Sequence, residues 1–576
     1  MTLKICKQRQ SVLDQGGHCL VLGGPGSGKT TLALLKAARR IGDELKPGES
    51  VLFLSFSRAA VARIREAIED QIPTGKSTLL SVQTFHSFFW QILQGYGYLL
   101  DAPRQLSIVL AHDEKALREG IERDSPAWGR WENTRHELFH AEGRVCFDLF
   151  APYTAQLLTE CKSIRDRVAS RFLLILVDEA QDTSDDQWDC VKLLSEKSQI
   201  ICLADPDQMI YDFLPGVGPK RLDDIRKHLR PHEIDLGTEN NRSPGNEIAA
   251  FARDILNSKV RGSGYVGVSR IRFKSSASDR DNAIRRSIGI IAKRITEQTG
   301  ENAESIAIVA SYGGGVAILS SALQKDKPIR HHVLFDEAFA LLASRVAAFL
   351  LEPKDPNTNA LDVATVLELA GDALRAKGNK TALDQSQKCA LYAARCRSGR
   401  LPSFKVVVAA QELIESSRSG KFTGDPRRDW LTVKQYLRQC DLTLFSDIAS
   451  QLDYLVAFAR GKRISESFSE LWLQHAAYPG ARAALDLALA QDQLLSGGED
   501  ARGIYVMNMH KCKGKQFDGV ILYRQQYHSP FVWRNEAAPH KVSRRLLHMA
   551  ITRAKLHVLV LDEAFPACPI LDPHSL

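Results

Sequence analysis

The sequence predicts an α/β protein built on two parallel sheets, each interrupted by a long helical insertion. Three observations carry that reading. A glycine-rich loop, Gly23-Gly24-Pro25-Gly26-Ser27-Gly28-Lys29-Thr30, joins the apolar run Cys19–Leu22 to a helical pattern from Leu32 onward. Continuous apolar runs such as Phe172–Val177 and Gln199–Ala204 read as strands covered on both faces. A second α/β set begins near Ile271 and closes at Val558–Leu561. Stretches of helical, charged character lie between, from about 97 to 170 and from about 355 to 498.

At 576 residues the chain is too long for one core, so several domains are expected. Hydrophobic residues at 44% and charged residues at 25% are ordinary for a globular protein and argue against disorder. No apolar stretch has the length of a membrane span, and the first residues are too polar for a signal peptide. Eleven cysteines are scattered without a C-x-x-C pair. Cys389, Cys396 and Cys440 come nearest to a cluster, at spacings that suit neither zinc nor iron–sulfur binding. Reduced thiols in the cytoplasm are the expectation. The formal charge of +8 permits a polyanionic partner.

In chain order, Gln8 comes first, one short segment before the glycine-rich loop; its amide both donates and accepts, as reading an adenine edge requires. The loop itself is a P-loop in its strand–loop–helix setting. Its backbone N–H groups turn onto phosphate oxygens, Lys29 neutralises the β- and γ-phosphates, and the Thr30 hydroxyl ligates Mg²⁺. ATP with Mg²⁺ is the expected ligand.

The strand Val51–Leu54 leads into Ser55-Phe56-Ser57-Arg58. The strand Leu79–Gln83 leads into Thr84-Phe85-His86. Hydroxyls, an aromatic and a basic group at strand ends suit a single nucleic-acid strand, although ordinary strand ends with core aromatics have the same composition. Phe172–Val177 delivers Asp178-Glu179-Ala180-Gln181-Asp182. This is a Walker B arrangement, with Asp178 toward Mg²⁺ and Glu179 as general base on the attacking water.

Gln199–Ala204 leads to a segment in which Gln208 senses the γ-phosphate and Phe213 stacks on a base, with Tyr211 between them. Arg242 follows a polar turn, where it is either a surface residue or one that reaches a nucleotide held between two domains. Further strands are expected at Ser305–Val309, His332–Leu334, Gly503–Met509 and Val520–Leu522. The basic segment His510-Lys511-Cys512-Lys513-Gly514-Lys515-Gln516-Phe517-Asp518 lies between the last two, and a helix over Arg544–Lys555 follows.

This ordered set resembles superfamily 1A helicases of the UvrD/Rep/PcrA type over nearly the whole chain. Gln8 is similar to the adenine-reading glutamine and Gly23–Thr30 to motif I; Ser55–Arg65 and Thr84–His86 resemble motifs Ia and Ib. Asp178–Asp182 has the D-E-x-Q-D form of motif II, and Asp205–Tyr211 resembles motif III, with Phe213 in the place of a DNA-stacking aromatic. Asn240–Ser243, His510–Asp518 and Leu547–Lys555 resemble motifs IV, V and VI.

The resemblance implies two RecA-like domains, at 1–96 with 171–245 and at 246–354 with 499–576. Helical insertions would occupy 97–170 and 355–498. It implies that Arg242 and Arg553 act as arginine fingers, that Arg65 and Thr31 lie along the phosphates, and that Gln516 lies by the ribose. His510, Lys511 and Lys513 are implied on the DNA, and movement is implied to run 3′ to 5′. Three positions depart from the family pattern. Asn241 replaces a tyrosine that stacks on adenine, Gln516 replaces a glutamate, and Thr31 stands where many relatives carry arginine. Between Leu522 and Arg544 only the surroundings of Phe531 and Trp533 offer a duplex-splitting hairpin.

The opening G-G-H-x-L-V-x-G-G-P-G-S-G-K-T also resembles the helicase subunit of Gabija-type anti-phage systems, whose partner is an OLD-family nuclease. The leading expectation is therefore an ATP-driven translocase or helicase on single-stranded or partly duplex DNA, in repair or anti-phage defence. Two alternatives remain open: a nucleotide-gated DNA-end or strand sensor that regulates a partner nuclease, and a P-loop ATPase with no nucleic-acid role. RNA in place of DNA also stays open.

Overall fold

The computed structural model describes residues 5–43, 45–56, 61, 64, 76–123, 125–210, 215–237, 242–243, 245–325, 327–334, 338–377, 379–452, 462–494, 502–533 and 535–574. The chain divides into two compact units. One comprises residues 1–100, 150–333 and 495–576; the other comprises 101–149 and 334–494.

The first unit holds both large sheets. Strands β1 (Cys19–Leu22), β2 (Ser50–Ser55) and β3 (Leu80–Thr84) alternate with helices, as the apolar runs predict. After two short strands of the other unit, β4 (Ser107–Val109) and β5 (Arg144–Cys146), the sheet is completed by β6 (Phe172–Val177), β7 (Gln199–Ala204) and β8 (His232–Asp235). Its order is β3-β2-β6-β7-β1-β8, with every neighbouring pair parallel. Helices on both faces bury the strands; all six residues of β2 are buried. The order puts β7 between β6 and β1, and the register aligns Leu22 with Ala204 and Val177 with Cys202. Three carboxyl ends therefore open side by side, where an α/β sheet binds its ligand.

The second sheet runs β11-β12-β10-β13-β14-β9. Its strands are β9 (Val268–Phe273), β10 (Ser305–Ala310), β11 (His332–Leu334), β12 (Gly503–Asn508), β13 (Phe517–Arg524) and β14 (Ala554–Glu563). From β12 to β9 each neighbouring pair is parallel.

The second unit is mainly helical. Helix Ala338–Leu351 is buried almost all round and is the centre of a core that includes Leu367, Ile414, Leu437, Phe468 and Leu485. Ala116, from the earlier segment, belongs to the same core. An ionic cluster joins the two segments: the Arg345 guanidinium donates to both Asp113 carboxylate oxygens and to Asp486 Oδ1 at 2.7 Å.

Three features depart from the sequence expectation. Residues 150–170, grouped above with the helical insertion, pack in the first unit, where Phe150 stacks on Trp90 with ring centroids 5.0 Å apart. The region from 97 to 170, expected to lack strands, contains the parallel pair β4–β5. Strand β8 was not expected: its sequence His232-Glu233-Ile234-Asp235 has only one apolar residue, sufficient for an edge strand with one covered face. Among the described residues no helix is long and apolar enough to cross a membrane, and the eleven cysteines are unpaired thiols.

Candidate functional site: a cleft between the two sheets

The P-loop leaves β1 and enters helix Lys29–Asp43. Gly26 and Gly28 hold φ of 81° and 90°, which side-chain-bearing residues rarely adopt. A Cβ on Gly23 would lie 2.6 Å from Ser27 Oγ. Lys29 Nζ donates to the Gly23 carbonyl and, at 3.0 Å, to that of Gly24; it lies 3.9 Å from Asp205 Oδ2. The Ser27 hydroxyl is buried with no hydrogen-bond partner, and the Ser27 carbonyl accepts from Arg9 Nη2 at 3.2 Å. A loop with an unsatisfied hydroxyl, left-handed glycines and an ammonium folded onto its own carbonyls fits a polyphosphate.

Thr30 is half-buried on the first helical turn, and Asp178 at the end of β6 is 8% exposed, its Oδ2 accepting from Ser55 Oγ at 3.3 Å. One hydroxyl and one carboxylate suit Mg²⁺, which fills its remaining positions with phosphate oxygens and water. Among the described residues no group of three His, Cys, Asp or Glu side chains forms a cage for a metal by itself.

Gln181 joins the acidic groups. Its Oε1 accepts from the Asp205 backbone N–H at 3.0 Å, and its Nε2 donates to Glu179 Oε2 at 2.6 Å and to Asp182 Oδ2 at 3.1 Å. Lys513 Nζ donates to Asp182 Oδ2 and to the Gln208 carbonyl at 3.1 Å, and lies 3.6 Å from Glu179 Oε2. Burial would raise the Glu179 pKa, but Lys513, Lys29 and the Gln181 amide outweigh it and hold the carboxyl well below its usual range. Burial pushes Asp182 up to about 6 against the pull of Lys513, with Glu179 pushing the same way. Burial also raises Asp205, opposed by Lys29.

The second sheet faces this cluster with the amino ends of its strands. Lys513 lies in the approach to β13, and Arg553 immediately precedes β14. Arg553 is 2% exposed; its Nη2 donates to Gln208 Oε1 while Gln208 Nε2 holds Asp205 Oδ2. Arg242 Nη1 donates to the Thr552 carbonyl at 2.7 Å, one residue from Arg553. Groups from both sheets thus meet at Gln208.

Family comparisons agree with this geometry. The model of the UvrD/REP helicase N-terminal domain matches residues 6–137 and 132–222, and that of the UvrD-like helicase C-terminal domain matches 503–561. Over these residues the chain is similar to helicases of the UvrD/REP type. It is similar to the putative ATP-dependent DNA helicase YjcD of Bacillus subtilis, 30% identical over 41% of this chain and 36% of that one. DNA helicase II of Haemophilus influenzae is 26% identical over 45% of this chain and 42% of its own length. The ATP-dependent DNA helicase Rep of Escherichia coli is 25% identical over 42% of each chain. The chain thus spans less than half the length of these curated relatives.

Several family positions lie elsewhere than the motif order suggests. Lys513, assigned to DNA from the sequence, is 6% exposed and held by Asp182 in the cleft. Phe85, also assigned to DNA, is 1% exposed between Phe56 and Phe89, so no base reaches its ring. Thr84 caps helix Phe85–Tyr96 by accepting from the Ser87 N–H at 3.1 Å. Ser55 serves Asp178, while Phe56 is half-buried against Phe85 at 4.9 Å.

His86 and His510 are half-buried; burial lowers the His510 pKa, and Asn508 Oδ1 accepts from the Lys511 backbone N–H. Gln8 is exposed on helix Lys7–Asp14, and Gln516 and Thr31 are half-buried. Phe531 is 4% exposed, and Trp533 lies against Tyr312 at 6.4 Å. Ser57, Arg58, Arg65, Tyr211, Phe213 and Asn241 lie outside the described residues. The roles of Gln181, Asp182 and Arg9 were missed: the first two stand in the acidic motif, but their partners come from other strands.

Proposed function

We propose that the chain is an ATP-driven motor on single-stranded DNA that moves 3′ to 5′ and works in the cytoplasm. The observation that carries this reading is the Arg553–Gln208 contact, which ties the second sheet to the segment leaving β7 beside the P-loop. Its support is the similarity to the UvrD/REP family models and the relatives' names. In this scheme the triphosphate takes the place of the Gly23 and Gly24 carbonyls as the partner of Lys29 Nζ. Glu179, kept ionised, takes the proton from the attacking water. Arg553 and Arg242 shift from Gln208 and the Thr552 carbonyl onto the charge that develops at the γ-phosphate. Mg²⁺, held by Thr30 and Asp178, supplies neutralisation of the phosphate oxygens. Because Gln208 serves both Asp205 and Arg553, loss of the γ-phosphate returns Arg553 to Gln208, and the alternation drives stepping.

A second reading is a nucleotide-gated sensor that controls a partner nuclease, of the OLD family in an anti-phage setting, with little unwinding. The observation favouring it is that Phe531 is buried and so does not project as a wedge between strands.

Steady-state ATPase activity with and without single-stranded DNA tests both. Strong DNA stimulation is expected, with Lys29→Ala and Glu179→Gln each lowering turnover by about a hundredfold or more. A hydrolase that depends on Lys29 yet ignores every nucleic acid overturns the motor reading. Displacement of an annealed strand separates the motor from the sensor.

A further inference from the structure

The helical unit carries an exposed face that the nucleotide cleft does not use. Helices Lys380–Arg397 and Lys405–Ser419 are joined by a short link. The Tyr392 and Phe404 rings stack at 4.3 Å between centroids, and the Arg395 guanidinium lies 5.8 Å from the Phe404 ring. Val406 packs against the cluster of Leu374, Ala382 and Cys389, which seats the second helix on the first. On this hairpin Leu391 is 52% exposed, Leu401 38%, Phe404 41% and Val408 40%. Leu391 and Arg395 are one turn apart on the first helix; Phe404 and Val408 are one turn apart where the second begins. Single exposed apolar residues are ordinary, but a continuous apolar face marks an interaction site.

The charge around this face is mainly basic, with the exposed Asp384 and Glu412 at its two ends. From residue 385 to 411 the sequence holds Lys388, Arg395, Arg397, Arg400 and Lys405 and no Asp or Glu. Arg397 is clasped by Glu368 through two 2.6 Å hydrogen bonds. The other four are exposed. A nucleic-acid backbone would answer the cations but leave Leu391, Leu401 and Val408 facing hydrated phosphate, so the aliphatic content selects a protein.

We propose that this hairpin face docks an acidic amphipathic helix of a partner protein, its apolar stripe lying along Leu391, Phe404 and Val408 and its carboxylates meeting Arg395, Arg400 and Lys405. The mode is a helix laid along a helical hairpin, with apolar contact giving affinity and charge giving orientation.

The test uses the full chain and two fluorescent synthetic helices that share a leucine stripe, one flanked by glutamates and the other by lysines. The glutamate helix is expected to bind and the lysine helix not. Phe404→Ser with Val408→Ser is expected to weaken binding by about tenfold or more. Arg395→Glu with Arg400→Glu is expected to invert the preference between the two helices. DNA-stimulated ATPase activity is expected to be unchanged in both variants, which reports an intact fold and keeps the outcome separate from the motor reading. Should the apolar variant lose that activity, the charge-inverted variant alone decides. Equal binding of the two helices, binding of neither, or duplex DNA binding that requires Phe404 in their place overturns the proposal.

Discussion

Gln181 holds three groups with one amide: Glu179, Asp182 and the backbone N–H of Asp205. Replacing it with leucine leaves that N–H buried without an acceptor and frees the Glu179 carboxylate to turn. Gln181→Leu is expected to lower kcat by about ten- to a hundredfold with little change in KM for ATP, as steady-state kinetics would show. A second residue-scale prediction concerns His112 in the helical unit. It is 1% exposed, and neither ring nitrogen has a hydrogen-bond partner. Burial, aided by Arg345 and opposed by Asp113, lowers its pKa from 6.5 to about 4. The unfolded chain binds a proton in that window that the folded chain refuses. Stability is therefore complete above about pH 6.5 and falls toward pH 4, by about 3 kcal/mol from this residue. Thermal melts across that range should show the slope, and His112→Leu should flatten it.

At the scale of elements, β1, β6 and β7 were legible because each is an uninterrupted apolar run ending in polar residues, and adjacency of their ends turns three motifs into one site. What was not legible is what the residues after a strand do. Thr84 and Phe85 have a composition suited to DNA, but the hydroxyl ends a helix and the ring fills a core. Thr84→Ala is accordingly expected to cost about 1 kcal/mol of stability and to leave affinity for single-stranded DNA unchanged in a fluorescence titration. Lys513 shows the same limit. A lysine in a basic run reads as a phosphate contact, whereas its partners Asp182 and Gln208 lie over three hundred residues earlier. Periodicity reports which face of an element is covered and is silent on what covers it.

At the scale of the whole molecule, the two helical insertions expected at 97–170 and 355–498 were read as separate pieces because they lie far apart in the sequence. The segments 101–149 and 334–494 share one core, and Arg345 is half-buried between Asp113 and Asp486. Arg345→Ala leaves two carboxylates without their cation and is expected to destabilise the helical unit by about 3 kcal/mol. Calorimetry of the full chain should show that unit's transition moving down in temperature more than the transition of the two-sheet unit.

The shared core also sets an order of events during synthesis. Asp113 and Ala116 leave the ribosome long before Arg345 and Asp486 exist, a delay of roughly 20 to 75 s at ordinary elongation rates. Until helix Ala338–Leu351 is made, helix Ala111–Leu117 lacks the core it shares with that helix, and the second sheet equally waits for β12, β13 and β14. The helical unit closes only once residue 494 has been made, and the second sheet only with β14. A ribosome that stalls before residue 494 therefore releases an unfinished helical core together with a second sheet that lacks three of its six strands.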